Sequence, residues 1–132
     1  MKTFKIPYYK DTVDIHVAEE NIKAVVAAKM HEYKVSKGEV ELVEEALANP
    51  IGSKTLPELS KGKKKIVIVT SDHTRAVPSK ITLPILLREI RSGNPAADIT
   101  ILIATGRHRQ TTEEEQRKMF GDLIVDNEKI VA

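Results

Sequence analysis

The fold is decided by residues 65–89, which read KIVIVTSDHTRAVPSKITLPILLRE. The first part, Ile66–Val69, is an unbroken β-branched run, typical of a strand buried on both faces of a sheet. A polar stretch follows, and from Ser79 onward the apolar residues recur with helical spacing. The order strand, loop, helix predicts a β-loop-α unit. Open α/β sheets bind ligands where such loops leave the carboxyl ends of the strands.

The same order recurs downstream. Residues 99–104 (ITILIA) predict a second buried strand, residues 105–110 (TGRHRQ) its exit loop, and residues 111–120 a helix that stops at Gly121. Two successive units predict neighbouring parallel strands joined by a right-handed crossover, so both exit loops lie at one edge of the sheet. We therefore expect six polar side chains to converge there: Asp72, His73, Arg75, Arg107, His108 and Arg109.

The flanking segments complete an α/β prediction. Residues 4–6 and 13–17 alternate in polarity and predict an N-terminal β-hairpin. Ser36 and Glu39 fit a capping box that opens a helix ending at residues 49–50. Ser79 is expected to cap the next helix, with Pro84 in its first turn or at a kink. Residues 123–125 and 128–132 predict two short strands. The fold class is α/β, a Rossmann-like parallel-core sheet flanked by helices, as one domain over residues 1–132.

Composition limits the function classes. The chain has 132 residues, a formal net charge of +2 and 4% aromatic residues, which argues against a nucleic-acid partner. With no cysteine, disulfides, thiolate metal sites and a cysteine nucleophile are excluded. No apolar run approaches the roughly 20 residues that cross a membrane, so no membrane partner is expected. The N-terminus alternates in polarity, unlike a signal peptide, and a cytoplasmic location is expected.

The two exit loops carry groups suited to an anionic ligand and to proton transfer. Arg75 offers a planar fork of donors for a carboxylate or phosphate. Asp72 could accept a hydrogen bond from a substrate hydroxyl or orient an imidazole. His108 follows Gly106, where the backbone can approach a ligand closely, and an imidazole can take up and release protons near neutral pH.

Structural interpretations compete with each of these roles. Asp72 and Thr74 could cap a turn, Arg75 could pair with Asp72, and a lone loop histidine is more often solvated than catalytic. The sequence contains no GxGxxG, Walker-type GK[ST] or HExxH motif, and its four histidines lack a metal-ligand spacing, so no metal ligand is assigned. The residues alone therefore predict an α/β domain with an anion-binding, acid–base edge.

Two long motifs resemble the nickel-dependent lactate racemase family. Residues 71–78 (SDHTRAVP) with residues 83–87 (LPILL) are similar to its D-x-T-R-P-x-P…P-x-L-L signature. Residues 104–115 (ATGRHRQTTEEE) are similar to its A-T-G-T-H-R-P…E-E segment, and residues 48–52 also match. The resemblance covers nearly the whole chain and implies the N-terminal domain, truncated, of a larger two-domain enzyme.

The resemblance implies racemisation or epimerisation of a 2-hydroxy acid. In the family, a nickel-pincer nucleotide tethered to a lysine takes a hydride from C2 of the substrate and returns it to either face. By motif, His108 is one of two acid–base histidines, Arg75 holds the substrate carboxylate, and Asp72 supports the substrate or the cofactor. Thr74, Thr105 and Gly106 complete the implied cofactor contacts.

Departures and missing parts qualify this resemblance. Ala76 and Gln110 replace prolines of the motifs, and Arg107 replaces a threonine beside the histidine, which could favour a more anionic 2-hydroxy acid. The roles of His73, Arg107 and Arg109 are not assigned. The tether lysine, the second histidine and the C-terminal domain of the same polypeptide would lie beyond residue 132. The fragment is therefore expected to lack cofactor and activity.

Two other interpretations stay open at the level of the sequence. The first is a non-catalytic α/β module that binds an anionic metabolite or nucleotide through the same loops. The second is a scaffold domain whose edge loops only contact a partner domain. They differ from the racemase interpretation in whether downstream sequence supplies the missing lysine and histidine.

Overall fold

The computed structural model describes residues 1–132 apart from the side chain of His31, and the chain divides into two compact units, Met1–Val35 and Ser36–Ala132. In the first unit, strands β1 (Lys2–Tyr8) and β2 (Asp11–Val17) pair antiparallel. Two short 3₁₀ turns follow, at Glu19–Asn21 and Lys29–Glu32. The predicted hairpin is therefore present.

The second unit alternates helices and strands. Its elements are α1 (Glu39–Ala48), α2 (Leu56–Ser60), β3 (Lys65–Ser71), α3 (Ser79–Gly93), β4 (Asp98–Ala104), α4 (Glu113–Phe120), α5 (Asp122–Asn127) and β5 (Lys129–Val131). The three strands form a sheet in the order β3-β4-β5, and both pairings are parallel. The predicted α/β class and parallel core are confirmed.

The core lies between this sheet and the helices. Its strand side consists of Ile99, Ile101 and Ile103, which alternate along β4 and point to one face. Its helix side consists of Leu83, Leu87, Ile90, Phe120 and Ile124. Ile101 is fully buried, which places the most protected part of the unit under the middle of β4.

Three local predictions are wrong. Residues 123–125 form part of helix α5 rather than a strand, because so short an apolar run does not distinguish the two; Ile124 is buried in the core, and Val125 packs against it. The Ser36–Glu39 capping box is absent: α1 begins at Glu39 after Gly38, without a side-chain cap. Ser79 is the first residue of α3 rather than its cap, and its hydroxyl lies 3.3 Å from that of Thr70.

The expectation that the first core strand is buried on both faces is also wrong for this chain. Val67 and Val69 are 56% and 65% exposed, whereas their neighbours Ile66 and Ile68 pack against the core. One face of the sheet therefore carries the helices, and the other is open within this unit. Across the part of the chain that the structure describes, no helix is long and apolar enough to cross a membrane.

Candidate functional site

The exit loops of β3 and β4 meet because the two strands are parallel and in register. Ser71 at the end of β3 lies opposite Ala104 at the end of β4. The loops therefore leave the sheet side by side, and His108 Nδ1 reaches within 2.5 Å of Asp72 Oδ2, although the two residues are 36 positions apart. This contact joins the two sequence motifs into one site.

Asp72 is the buried centre of the first loop. It is only 1% exposed, and its Oδ1 accepts hydrogen bonds from the backbone N of Thr74 at 3.0 Å and from Thr74 Oγ1 at 2.6 Å. The backbone N of Arg75 donates to the Asp72 carbonyl at 3.2 Å, which closes the turn. Asp72 thus both shapes its loop and contacts the imidazole, two of the roles weighed from the sequence.

These contacts keep the carboxyl group of Asp72 ionised. The hydrogen bond from the Thr74 hydroxyl, assisted by His108, holds the pKa of Asp72 well below its ordinary value, although burial alone would raise it. An ionised carboxylate only accepts hydrogen bonds, so the neutral imidazole of His108 must carry its proton on Nδ1 to donate to Oδ2. The other ring nitrogen, Nε2, is then an acceptor.

The side chain of His108 combines a fixed ring with access to solvent. It is 48% exposed, while its partner carboxylate is almost fully buried. Thr74 Oγ1 lies 3.5 Å from the same Nδ1 atom, a longer contact than that of Asp72. A neutral imidazole anchored through Nδ1 can accept a proton at its outer nitrogen and later return it.

A second network joins the loops around Glu115, which sequence reasoning did not single out. Its carboxylate accepts two hydrogen bonds from Arg109, at 2.6 and 2.8 Å, and forms a capping box with Thr112 at the start of α4. The bonds from Arg109, then from Thr112, hold the pKa of Glu115 well below its ordinary value. The spacing Thr112-x-x-Glu115 is a readable capping signal.

His73 connects the first loop to this network. Its Nδ1 lies 3.3 Å from Thr111 Oγ1 and 3.9 Å from a carboxylate oxygen of Glu115. Thr111 is itself buried. His73 therefore contacts the beginning of α4, and its contacts are separate from those of His108 with Asp72.

Of the three arginines in the two exit loops, one forms an ion pair and two do not. Arg109 pairs with Glu115. Arg75 and Arg107 are exposed, and among the described residues neither side chain makes a hydrogen bond or ion pair. The structural alternative in which Arg75 pairs with Asp72 is therefore wrong, and two guanidinium groups remain available to an anion.

Gly106 leaves the main chain of the second loop accessible to a ligand. Its φ of +58° lies in the left-handed region, and no atom stands within 4 Å of the position a Cβ would occupy. The backbone N of His108 donates to the carbonyl of Thr105 at 3.0 Å across this turn. A ligand could thus approach the main chain of Gly106 closely, next to the imidazole.

The site is an open edge rather than an enclosed pocket. The two best-formed cavities, of about 220 and 340 Å³, lie elsewhere, the first beside α2 and the second between α3 and α5. Within the described residues, no group of three or more histidine, aspartate or glutamate side chains is arranged to hold a metal ion. The site offers one acid–base imidazole, one orienting carboxylate and free guanidinium groups.

These features define a class of protein: an α/β domain with an acid–base and anion-binding site where parallel strands end. The family model described as the lactate racemase N-terminal domain matches residues 8–132, and the chain belongs to that family.

Two relatives and one solved structure are similar over nearly all of the chain. It is 50% identical to a lactate racemase of Thermoanaerobacterium thermosaccharolyticum and 47% identical to one of Lactiplantibacillus plantarum, covering 99% of this chain and 31% of each relative. The structure of the lactate racemase apoprotein from T. thermosaccharolyticum is similar with a TM-score of 0.87 at 48% identity, over 98% of this chain and 30% of that one. The chain thus spans about a third of the length of these relatives.

Proposed function

We propose that this chain is the N-terminal part of a lactate racemase-like isomerase, in which it supplies the acid–base and carboxylate-binding edge of the active site. The observation that carries the proposal is the contact of His108 with the buried, ionised Asp72. The similarity to two lactate racemases supports a 2-hydroxy acid as the substrate class.

His108 is proposed as the residue that moves the hydroxyl proton of the substrate. In its neutral form Nδ1 donates to Asp72 Oδ2, so Nε2 is left to accept the proton of the C2 hydroxyl. After the ring has become an imidazolium, the ionised Asp72 stabilises its charge, and Nε2 returns the proton to the oxygen. Asp72 is thus proposed as a positioning residue, because its two oxygens are occupied by Thr74 and His108 rather than free for substrate.

Arg75 is proposed to hold the substrate carboxylate. Its guanidinium group is exposed and, among the described residues, has no anionic partner to compete with a ligand. A planar guanidinium binds a carboxylate through two parallel hydrogen bonds, which fixes orientation as well as position. Arg107, exposed on the neighbouring loop, would favour substrates with additional negative charge.

The change at C2 is proposed to depend on a nickel-pincer nucleotide, which supplies an acceptor and donor for hydride when bound. The described residues offer no set of ligands for nickel, so this chain does not by itself fit the metal. What the chain offers to a nucleotide is the accessible backbone at Gly106, its neighbour Thr105, and the hydroxyl of Thr74 close to His108. Metal ligands and a tether are proposed to come from the remaining sequence, together with the domain that encloses the site.

The test uses a full-length chimera in which this chain replaces the matching segment of the T. thermosaccharolyticum lactate racemase, produced with nickel and the cofactor-synthesis proteins. Interconversion of D- and L-lactate is expected, and His108→Ala should lower kcat by about 10²–10⁴-fold, the usual contribution of a general acid–base. Arg75→Gln should mainly raise KM. His16→Ala is the matched control, since His16 is exposed on the hairpin, where its ring contacts Thr3.

The possible outcomes distinguish the proposed enzyme class from the proposed role of His108. If the loaded chimera racemises neither lactate nor larger 2-hydroxy acids, the racemase proposal fails, and the non-catalytic module that binds an anionic metabolite or nucleotide becomes the better interpretation. If His108→Ala retains full activity while the chimera works, the role of His108 is wrong although the enzyme class is right. Equal losses in His16→Ala and His108→Ala would mean that both act through folding.

A further inference from the structure

The parallel sheet of Ser36–Ala132 carries an apolar face that no helix of this unit covers. Along β3, Val67 and Val69 are 56% and 65% exposed, and on β4 and β5 Leu102 and Val131 are 37% and 43% exposed. Register places these side chains together, since Val69 lies opposite Leu102 and Leu102 opposite Val131. We call Val67, Val69, Thr100, Leu102, Ala104 and Val131 the open face.

The winding of the chain explains why this face is open. The strands follow one another in the order β3-β4-β5, so both crossovers step in the same direction across the sheet. Right-handed crossovers that step in one direction place all their helices on the same face. Helices α3, α4 and α5 therefore cover one side, and covering the other side requires a segment that winds in the opposite direction.

The two helices that precede the sheet also lie on the helical side. The Oγ of Ser60 in α2 donates to the carbonyl of Ile90 in α3 at 3.1 Å. Glu44 in α1 accepts a hydrogen bond from Arg88 of α3 at 2.9 Å. Both α1 and α2 are thus neighbours of α3 and do not account for the open face.

The residues of the open face are those of a buried surface. Parallel strands are almost always covered on both faces, and their apolar, β-branched composition reflects this. The open face is apolar apart from Thr100, which lies opposite Val67, and its charged residues, Lys65, Asp98 and Lys129, stand at the amino ends of the three strands. Exposed apolar area rimmed by charge is typical of a docking surface.

We propose that the open face binds an amphipathic helix contributed by the remaining part of the racemase polypeptide. The chain covers 31% of each relative, so a full-length protein of their length, as the proposed function implies, has about two thirds of its residues outside this chain to supply the helix. In α/β sheets the covering helix runs antiparallel to the strands, which would set its carboxyl terminus beside two lysines, Lys65 and Lys129, and one carboxylate, Asp98. Lysine near the carboxyl end of a helix is favourable because the helix dipole is negative there.

Cysteine labelling tests this proposal without relying on activity, so its failure is distinct from failure of the proposed function. The chain has no cysteine, so Val69→Cys introduces a single reactive site on the open face. Glu114→Cys is the matched control, because this side chain is 79% exposed on the outer surface of α4. Both variants are labelled with a maleimide in the 132-residue chain and in the full-length chimera, and the labelled peptide is identified by mass spectrometry.

We expect Val69→Cys to react readily in the 132-residue chain and about tenfold or more slowly in the chimera, where labelling then requires local opening. Glu114→Cys should react equally in both. Equal reaction of Val69→Cys in the two proteins overturns the proposal. Protection in the short chain that increases with protein concentration identifies a second copy as the occupant and also overturns it.

A second variant tests the proposal by thermal stability, independently of the labelling rates. Val69→Lys should leave Tm of the 132-residue chain nearly unchanged, since the side chain is exposed there, and should lower Tm of the chimera, where it would place a charge under the helix. An unchanged Tm in both proteins contradicts the proposal, whatever the labelling rates.

Discussion

Replacing Asp72 with asparagine keeps the shape of the side chain and removes its charge. In the native chain Oδ1 accepts two hydrogen bonds from Thr74, while Oδ2 lies 2.5 Å from His108 Nδ1. An amide offers one oxygen and one NH₂ group, so it cannot accept at both positions. We expect the oxygen to stay with the two donors of Thr74. The NH₂ group then faces His108, and the proton of the neutral ring moves from Nδ1 to Nε2.

The effect of Asp72→Asn on stability in acid can be worked out from proton binding. The Thr74 hydrogen bond holds the pKa of Asp72 well below its ordinary value of about 3.9, so the unfolded chain binds up to one more proton at this group than the folded chain. Such a group stabilises the fold above the ordinary pKa, and this contribution is lost as pH falls through the lower, folded pKa. The amide of the Asp72→Asn variant has no proton to bind. Below about pH 4 the pH dependence of the free energy of unfolding should therefore decrease by up to one proton, while the contribution of Glu115 persists.

Two measurements on the 132-residue chain check this prediction. Urea unfolding followed by circular dichroism, at a series of values from about pH 2 to pH 5, gives the slope of the unfolding free energy against pH. The ¹⁵N chemical shifts of the imidazole nitrogens report which one carries the proton. Asp14→Asn is the control, because it removes a surface carboxylate whose partner is Lys5 and should leave the His108 signals unchanged.

The reasoning is refuted if Asp72→Asn unfolds with the same pH slope as the native chain. In that case Asp72 would not be held ionised by its neighbours. A ring that keeps its proton on Nδ1 in the variant would separately contradict the claim that the carboxylate selects the tautomer.

Two further predictions concern packing that positions the site. Gly93→Ala should destabilise the chain by about 1–3 kcal/mol in urea unfolding, because a Cβ there would collide with the backbone of Pro57. Gly38→Ala is the control: it has open space around it, and its cost should stay below about 1 kcal/mol, from the poorer N-cap of α1 alone. Ile101→Ala should lower the unfolding free energy by about 2–5 kcal/mol, since Ile101 is fully buried under the helices. Val67→Ala, on the open face, should have a much smaller effect. Comparable losses from both variants would show that both faces of the sheet are covered in this chain.

Local sequence patterns correctly predicted the elements whose backbone conformation depends mainly on residue type and spacing. The β-branched run before residue 70 and the apolar run of residues 99–104 became neighbouring parallel strands, and alternation near the N-terminus became a hairpin. Helix α4 ended at Phe120, directly before the stop predicted at Gly121. In each case residue type and spacing alone favour one backbone conformation.

Predictions failed where neighbours in space decided the outcome. The apolar run of residues 123–125 fits a strand or a helix equally, and the position of Ile124 against the core selected the helix. The strand β3 has the composition of a strand buried on both faces, yet the winding of this unit covers only one. A sequence records that a residue is suited to burial but does not record which segment covers it.

The α/β class, the two polar loops and the chemical types of their residues could all be predicted from the sequence, because they follow from local periodicity and side-chain chemistry. Which of these residues act together depends on the packing of the folded chain. It paired Asp72 with His108, tied His73 and Arg109 to Glu115, and left Arg75 without a partner among the described residues. The physical reason is register: contacts between loops far apart in sequence form only after β3 and β4 align, with Ser71 opposite Ala104.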